Sequence, residues 1–445
     1  MAKGPRFYQP ARRGATPDTP FEVEAERQSH DGRGLCQHRG KTLFITGALP
    51  EERVRVRYRQ RRGKYDEAQT LEVVRPSPQR VEPRCPHFGV CGGCQLQHQA
   101  PAAQLAAKQR QALDQLRRLG KVEPEALLPP LDGPHWHYRR RARLGIRCDR
   151  KGRPLLGFRQ QGSNQLTAIT QCPVLEPRGE KLLQALQAQV QQLQRPQALS
   201  HLEIALGDED AALVVRHTAP LADPDRAALE ALCQQQGAIL CLQPGGPETL
   251  HCPNGAAPRL HYRLQEQTLA FHPGDFTQVN GGVNRAMVAQ ALALLDPQPG
   301  DRVLDLFCGL GNFTLPLARR AGEVVGVEGA EAMVCRGREN ASALGLGNVH
   351  FYDADLTADL SRAPWFGAGF NKALLDPPRA GALEVIRQIG SLDIETLLYV
   401  SCDPATLARD AGELQARGYS LRKFGVMNMF PHTAHVESMA LFTRR

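Results

Sequence analysis

The feature that most constrains the fold of this 445-residue chain is a glycine-rich loop in the segment VLDLFCGLGNF, residues 303–313. An apolar strand pattern ends at Asp305, and Gly309 and Gly311 then permit a tight turn that a ligand can approach closely. A second apolar strand, EVVGVE, ends at Glu328, about 20 residues further along, where a carboxylate can accept hydrogen bonds from both hydroxyls of a ribose. Together, the loop and the acid predict a βαβ unit that binds a nucleoside-containing cofactor.

Strand and helix patterns alternate from about residue 283 to the C-terminus. Beyond EVVGVE, further strands are predicted at residues 349–352, 372–376, 396–401 and 437–442. This alternation predicts a doubly wound α/β sheet with parallel strands and ligand sites at their carboxyl ends. The dinucleotide fingerprint Gly-x-Gly-x-x-Gly is incomplete, because position 314 is Thr. The loop followed by an acid instead resembles the Rossmann-like class I S-adenosylmethionine methyltransferases, and in that fold Asp355 would lie near the adenine.

Two further motifs follow strands of the same predicted sheet and indicate the chemistry. The turn LDPPR contains Asp376 and is stiffened by two prolines, and YVSCDP places Cys402 just past the next strand. A thiolate beside a methyl donor suggests addition to C6 of a pyrimidine, because the resulting enolate makes C5 nucleophilic. A base must then remove the C5 proton; Glu437 is the preferred candidate, with His432 and His435 as alternatives.

Each of these motifs has another interpretation. A lone Cys402 would more often be a small buried apolar residue, but its position one strand past the proline turn favours a nucleophile. Exocyclic-amine methyltransferases use a similar proline turn followed by an aromatic residue. Here the residue that follows is Arg379, which counts against an amine target.

Three cysteines lie close together in RCPHFGVCGGCQLQH, namely Cys85, Cys91 and Cys94. Thiols at this spacing can bind one face of a metal ion or cluster, and the two glycines allow the backbone to turn around it. A fourth ligand is required, and Cys172, in a Cys-Pro context like that of Cys85, is the best candidate. The spacing favours a [4Fe–4S] cluster over zinc, since structural zinc usually shows paired Cys-x2-Cys knuckles. Three buried free cysteines are the remaining alternative.

We predict four segments along the chain. Residues 1–20 are expected to form a flexible basic tail, and five short strands within residues 21–80 predict a small OB-like barrel. A mixed α+β central domain that carries the cysteine cluster follows at residues 81–275, with a helix at 102–119. The methyltransferase domain occupies residues 276–445.

The positive charge is concentrated towards the N-terminus. Residues 1–80 hold 17 basic and 10 acidic residues, and residues 135–159 hold nine basic residues and one acidic residue. Residues 160–445, by contrast, hold 23 basic and 30 acidic residues. In the strand RVRVRYR a period of two places four arginines on one face, namely Arg53, Arg55, Arg57 and Arg59. This exceeds what an edge strand needs against aggregation, and it favours RNA contact over a merely solvated surface. Trp136 and Tyr138 are equally compatible with base stacking and with a core position.

The composition excludes several classes of protein. The chain is 42% hydrophobic and 23% charged with a net charge of +9, as expected for a globular protein and not for a disordered one. Its uncharged apolar runs are shorter than a membrane span, and the N-terminus MAKGPRFYQP lacks the apolar segment of a secretory signal. We therefore expect a cytoplasmic protein, acting as a monomer.

Six motifs together resemble the RNA uridine-C5 methyltransferases that act on bacterial 23S rRNA and tRNA: RCPHFGVCGGCQLQH, FHPGDFTQVN, DLFCGLGNF, LDPPR, YVSCDP and PHTAHVES. The resemblance extends from about residue 20 to the C-terminus and implies an N-terminal TRAM domain. It implies [4Fe–4S] ligation by Cys85, Cys91, Cys94 and Cys172, with Cys402 as the nucleophile and Glu437 as the base. It further implies S-adenosylmethionine contacts from Gln278, Phe307, Asn312, Glu328, Asp355 and Asp376.

The combination of barrel and cluster is most similar to the branch of this family that methylates uracil 1939 of 23S rRNA, at a loop uridine flipped out of its stack. Phe276 is a plausible surface for that base. Other rRNA uridines, two sites or tRNA remain alternatives. RNA cytosine-C5 methylation is disfavoured, because the proline motif has no second cysteine. The non-enzyme alternative is an RNA-binding iron–sulfur protein with an inert methyltransferase fold.

Overall fold

The computed structural model describes residues 19–255, 257–390 and 392–444. Almost all of the tail predicted at residues 1–20 lies outside the described residues. The described chain forms two compact units, one of residues up to Glu82 together with His98–Ala100, and one of the remainder. Within these ranges, every helix is too short or too polar to cross a membrane.

The first unit is built around a six-stranded sheet. Its strands are β1 (Phe21–Glu24), β2 (Arg27–Gln28), β3 (Gly34–His38), β4 (Lys41–Thr46), β5 (Arg53–Arg61) and β6 (Tyr65–Arg75), in the order β1-β5-β6-β4-β3-β2. Only Ala25 and Glu26 separate β1 from β2, so one segment of chain forms both edges and the sheet closes on itself. The predicted two-faced strand is confirmed, because Val54, Val56 and Tyr58 are buried in the core of this unit.

The second unit begins with the cysteine-containing loop and a helix, α1 (Pro101–Gln115). The helix continues through a π-helical turn, Leu116–Gly120, and ends where Lys121 adopts a left-handed conformation with φ 55°. The helix predicted at residues 102–119 is thereby confirmed. A short strand, β7 (Ala126–Leu127), follows.

A mixed sheet with two helices comes next. Its elements are β8 (Arg141–Cys148), β9 (Pro154–Arg159), β10 (Leu166–Ala168), α2 (Pro177–Val190), β11 (Leu199–Leu206), β12 (Ala211–His217), α3 (Asp223–Gln235) and β13 (Ile239–Gln243). The strand order is β10-β9-β8-β11-β12-β13. Apolar residues of α2 and α3 pack with one face of this sheet in a single core.

A hairpin and a helix lead into the C-terminal sheet. They are β14 (Leu260–Leu264), β15 (Gln267–Phe271) and α4 (Gly281–Leu295). The remaining elements are β16 (Arg302–Leu306), α5 (Thr314–Ala318), β17 (Glu323–Glu328), α6 (Glu331–Ala343), β18 (Val349–Asp353), β19 (Lys372–Leu375), α7 (Leu383–Ile389), β20 (Thr396–Ser401), α8 (Pro404–Ala416), β21 (Tyr419–Met427) and β22 (Glu437–Arg444).

The C-terminal sheet has the order β18-β17-β16-β19-β20-β22-β21-β7. The chain direction across the sheet reverses between β16 and β19, which is where open α/β sheets bind ligands. The doubly wound α/β sheet is confirmed, but the expectation of parallel strands is wrong for β22, which runs antiparallel to β20 and β21. Only a short loop joins β21 to β22, and without a crossover helix consecutive neighbours must pair antiparallel.

Apolar cores cover both faces of the C-terminal sheet. One of these cores also includes Val214 and Cys241 from the mixed sheet, together with Leu374 and Leu398 from the C-terminal sheet. The two sheets of the second unit therefore share a core. The domain boundary placed at residue 275 stays a prediction.

Candidate active site

The glycine-rich loop holds Glu328 in place at the end of β17. Phe307, Gly309 and Gly311 all adopt positive φ angles, of 63°, 56° and 99°. This turn brings the amide of Gly309 to within 3.1 Å of Glu328 Oε2, and the amide of Ala330 donates to Oε1, also at 3.1 Å. Both carboxylate oxygens are thus oriented at the carboxyl edge of the sheet.

Two further carboxyl groups lie at the same edge. Asp305 is fully buried and accepts a hydrogen bond from Thr314 Oγ1 at 2.6 Å. Burial raises its pKa to about 8, with smaller contributions from Asp376 and Glu328. Burial and Glu328 raise the pKa of Asp376 to about 7, and the Asp376 amide donates to Leu306 O at 3.2 Å. The loop, β17 and the proline turn therefore converge as predicted for a cofactor pocket.

The other residues implied as cofactor contacts differ in their environments. Asn312 exchanges two hydrogen bonds with Asn284 of α4, at 2.9 and 3.0 Å, and also accepts one from Tyr262 OH at 3.2 Å. Gln278 is half-buried in the segment before α4. Asp355 is exposed two residues beyond β18, and hydrogen bonds from Thr357 lower its pKa. Sequence reasoning missed Asn284 and Tyr262, which lie far from Asn312 along the chain.

Cys402 and Glu437 come together across two adjacent strands. Ser401, the last residue of β20, is the register partner of Ser438 of β22, so Cys402, which follows β20, and Glu437, the first residue of β22, lie opposite each other. Glu437 is 9% exposed, and burial, assisted by Asp376, raises its pKa well above the usual range. Burial also raises the pKa of Cys402 to about 11, with further contributions from Glu437 and Asp376.

Two cations oppose these shifts. Arg379, in the proline turn, lowers the pKa of both Cys402 and Glu437, and Lys108 of α1 lowers that of Glu437. Lys108 was missed from the sequence. The available signal was its position four residues after Gln104 and four before Ala112, on the buried stripe of α1.

The two alternative bases occupy different environments. The His432 ring is buried, lies 4.0 Å from the Trp136 ring and accepts a hydrogen bond from Gln104 Nε2, while burial lowers its pKa to about 4. His435 is exposed and accepts a hydrogen bond from Arg379 Nη2 at 3.3 Å. The ring of His432 is therefore part of the packing between α1 and the β21–β22 loop.

Comparison with known proteins identifies the family. The family model for tRNA (Uracil-5-)-methyltransferase matches residues 248–445. A protein of Alkalilimnicola ehrlichii named 23S rRNA (uracil(1939)-C(5))-methyltransferase RlmD is 53% identical over 97% of this chain and 98% of its own length. Proteins with the same name from Stenotrophomonas maltophilia and Alcanivorax borkumensis are 48% and 46% identical, covering 96% and 97% of this chain and 98% of each relative.

The chain belongs to the RNA uracil-C5 methyltransferase family.

A solved structure shares the fold of this uracil-C5 methyltransferase. The Pyrococcus abyssi tRNA (uracil-54, C5)-methyltransferase, crystallised with S-adenosyl-L-homocysteine, matches 95% of this chain and 100% of its own, with a TM-score of 0.72. The sequence identity is 22%, so this likeness concerns the fold alone.

In this member of the uracil-C5 methyltransferase family, the four predicted ligand thiols line one cavity of about 1270 Å³. Cys94 and Cys172 have pKa values raised by burial to about 11 and 12, with smaller contributions from the neighbouring cysteines. In the ranges the structure describes, no three His, Cys, Asp or Glu side chains are grouped closely enough to hold a metal ion. The Gly93 amide donates to Cys91 Sγ at 3.4 Å.

The end of the cysteine loop is bonded to the segment that precedes Glu437. The amides of Gln95 and Leu96 both donate to His432 O at 2.9 Å. On the other side, Gln104 Oε1 accepts from the His432 amide at 2.9 Å. The loop and α1 therefore hold the backbone of His432 from two directions.

The predicted RNA-contacting residues fall into two groups. Arg53, Arg55, Arg57 and Arg59 lie on the exposed face of β5, where Glu22 and Glu72 pair with the first two. Tyr138 is a core residue, 4% exposed, and its hydroxyl donates to Pro431 O at 3.0 Å. Trp136 is half-buried against His432, and the Arg84 guanidinium lies 5.5 Å from its ring centre. Of the two alternatives, base stacking and a core position, Tyr138 therefore has the core position.

Proposed function

We propose that this protein transfers a methyl group from S-adenosylmethionine to C5 of uracil 1939 in 23S rRNA, through a covalent bond between Cys402 and C6. The observation that carries this proposal is the juxtaposition of Cys402 and Glu437 beside the pocket of Glu328 and Asp376. Near-full-length relatives named for that reaction support the choice of uracil 1939.

The pocket at the carboxyl edge suits a nucleoside cofactor. Glu328, with both oxygens already oriented, is suited to the ribose hydroxyls, and the open turn at Gly309 lets the cofactor lie against the backbone. When bound, S-adenosylmethionine supplies an electrophilic methyl group. Further contacts are proposed from Gln278, Phe307, Asn312, Asp355 and Asp376.

The proposed chemistry begins at Cys402. Its thiol, which is partly exposed, must first release its proton to solvent water, and Arg379 favours this step by stabilising the thiolate. The thiolate forms a bond to C6, and the electrons of the C5–C6 double bond move towards O4 to give an enolate. C5 of this enolate forms a bond to the methyl carbon as the methyl–sulfur bond breaks, and S-adenosylhomocysteine is the leaving group.

Glu437 then completes the reaction. Its carboxylate takes the proton from C5, the electrons of that C–H bond restore the C5–C6 double bond, and the Cys402 thiolate leaves. The carboxylate must be ionised to act as a base. The buried, neutral ring of His432 packs against Trp136, which supports Glu437 over that residue.

The uridine must leave its stack for Cys402 to reach C6, which costs a few kcal/mol and favours a loop uridine. Phe276 is 72% exposed and is proposed as the surface on which the flipped base rests. The barrel of β1–β6 is proposed to be a TRAM domain that binds the surrounding RNA. We further propose that the protein acts as a cytoplasmic monomer.

The four thiols of Cys85, Cys91, Cys94 and Cys172 are proposed to bind a [4Fe–4S] cluster. Their shared cavity supports this assignment. The raised thiol pKa values mean that binding must displace protons, which an iron–sulfur cluster achieves by direct coordination. A structural role is proposed, because the loop leads directly into the contacts with His432.

The deciding experiment is nucleoside mass spectrometry of rRNA from cells with and without the gene, followed by methylation of a 23S fragment by the purified protein. We expect 5-methyluridine at position 1939 to be lost with the gene and restored by the protein. A fragment with cytosine at 1939 should accept no methyl group. Methylation of another uridine or of tRNA would overturn the assignment of uracil 1939, and RNA binding without methylation would favour the inert iron–sulfur protein.

A further inference from the structure

Lys108 is a buried cation on α1. Its side chain is 3% exposed, and its Nζ donates to Asn428 Oδ1 at 3.1 Å and to Phe430 O at 2.9 Å. A buried ammonium group is costly unless it is hydrogen-bonded and balanced by charge. Both of these acceptors are neutral, so the balancing charge must come from other groups nearby.

The position of Lys108 along the β21–β22 hairpin identifies those groups. Asn428 follows Met427, and Met427 is the register partner of Glu437. The side chain of Asn428 is 1% exposed, and its Nδ2 donates to Asp132 Oδ1 at 2.9 Å. The ammonium group is therefore held at the end of the hairpin where β21 ends and β22 begins. Its acidic neighbours there are Glu437 and Asp132.

We propose that Lys108 is a positioning residue for Glu437: held at the end of the β21–β22 hairpin, its charge favours the ionised form of the carboxylate that accepts the C5 proton. This inference deepens the proposed function and rests on it. Lys108 touches neither substrate nor cofactor in this scheme, and it acts through Glu437 alone.

The charges around Glu437 come from every element packed against it. The turn after β19 contributes Asp376 and Arg379, the end of β20 contributes Cys402, and α1 contributes Lys108. Burial and Asp376 favour the protonated acid, whereas Lys108 and Arg379 favour the carboxylate.

Lys108 differs from the other cation in its surroundings. Arg379 is exposed on its turn, where water and salt weaken its field, while Lys108 is buried, where a charge acts more strongly. Burial lowers the pKa of Lys108 to about 8, and Glu437 and Asp132 oppose that shift. Burial lowers the pKa of His432 and of His435, with a smaller contribution from Lys108, and so favours neutral rings.

The test compares Lys108→Met with Lys108→Arg, and with Arg110→Met as a matched control on the exposed side of α1. Methyl incorporation and loss of the C5 proton from uracil-labelled RNA are followed separately, from about pH 6 to about pH 9. In Lys108→Met, loss of the C5 proton should require a pH higher by about one unit. At neutral pH the C5 proton should therefore be lost about tenfold more slowly than in the wild type. A methylated RNA–protein adduct should accumulate at neutral pH and resolve at alkaline pH.

Lys108→Arg and Arg110→Met should follow the wild-type profile. A loss of rate in Lys108→Met that is equal at every pH, without an adduct, would overturn the proposal and leave Lys108 a purely structural role. If Lys108→Met gives no cooperative unfolding transition, and so does not fold, the pH profile of Asn428→Asp tests the proposal instead. That variant keeps the lysine but adds a competing carboxylate, so it should shift the profile in the same direction, and an unchanged profile would overturn the proposal.

An experiment with the wild-type enzyme and 5-fluorouracil RNA distinguishes a failure of the proposed function from a failure of the proposed role of Lys108. Absence of any adduct with the wild type contradicts the proposed function itself. An adduct with the wild type, combined with an unshifted Lys108→Met profile, contradicts only the role of Lys108.

Discussion

Cys402 and Glu437 face each other at the open ends of two antiparallel strands, each one residue beyond the Ser401–Ser438 pair. Adjacent strands of one rigid sheet thus fix the spacing between the proposed nucleophile and the proposed base. In the proposed mechanism the two side chains act on neighbouring ring atoms, C6 and C5. The first two predictions separate their roles.

Cys402→Ala should abolish methyl transfer while leaving S-adenosylmethionine affinity nearly unchanged, because the thiol is needed for addition to C6 and not to hold the cofactor. Radiolabelled methyl transfer and isothermal titration calorimetry measure the two effects. Cys335→Ala, at an exposed cysteine of α6, is the matched control and should behave as the wild type. Residual methylation by Cys402→Ala would exclude the covalent mechanism.

Glu437→Gln should accumulate a covalent adduct between enzyme and methylated RNA, since addition and methyl transfer can proceed but the C5 proton stays. Denaturing electrophoresis with labelled cofactor detects the species. RNA containing 5-fluorouridine should trap the wild-type enzyme in the same way, because fluorine cannot leave as a cation. If Glu437→Gln turns over normally and forms no adduct, another residue is the base.

Replacing the β5 arginines should weaken RNA binding and flatten its dependence on salt by about one counterion for each lost phosphate contact. The most informative single change is Arg59→Gln, because Arg59 donates to the neutral Gln69 side chain, whereas Arg53 and Arg55 pair with Glu22 and Glu72. Fluorescence anisotropy over a salt series measures the slope. A slope identical to that of the wild type would assign this face of the barrel a structural role.

Protein purified without air should be brown and contain about four irons per chain, with matching sulfide. Cys85→Ser should lower folding stability or RNA affinity more than the rate of the chemical step, if the cluster is structural. Metal and sulfide analysis, thermal unfolding and single-turnover kinetics test the two statements. Stoichiometric zinc without sulfide would contradict the cluster assignment.

The stability of the cofactor-free protein should fall as pH rises from about 4 to about 8, partly because of Asp305. Its pKa is raised to about 8 in the folded state from 3.8, so the folded state holds a proton that the unfolded state has lost. That contribution is complete below the unfolded pKa and disappears as pH rises through the folded one, at up to about 1.4 kcal/mol per pH unit. Asp305→Asn should flatten this decline in urea titrations at pH 5 and pH 8, whereas an equally steep decline would show that Asp305 is ionised.

The sequence was most informative where a local pattern determines the result. The strands around the glycine-rich loop were predicted because apolar runs end in acids or glycines, and their carboxyl ends necessarily meet in a doubly wound sheet. The strand Tyr419–Met427 was missed, because Arg422 and Lys423 interrupt its apolar pattern. The direction of β22 depended on that missing neighbour.

The supporting residues of the site could not be predicted in this way. The spacing of Lys108 places it on the buried stripe of α1, but its partner Asn428 and its neighbour Glu437 lie more than 300 positions away, beyond the range of any local pattern. Tyr138 and Trp136 have similar amphipathic rings, so only their packing distinguishes a core residue from a half-exposed one. Long-range partners, not local propensity, decide such positions.

The bonds from Gln95 and Leu96 to His432 O make the cysteine loop a support for the segment that leads to Glu437. If this loop is ordered by an iron–sulfur cluster, damage to that cluster by oxygen would lower the turnover rate before it lowered the affinity for S-adenosylmethionine.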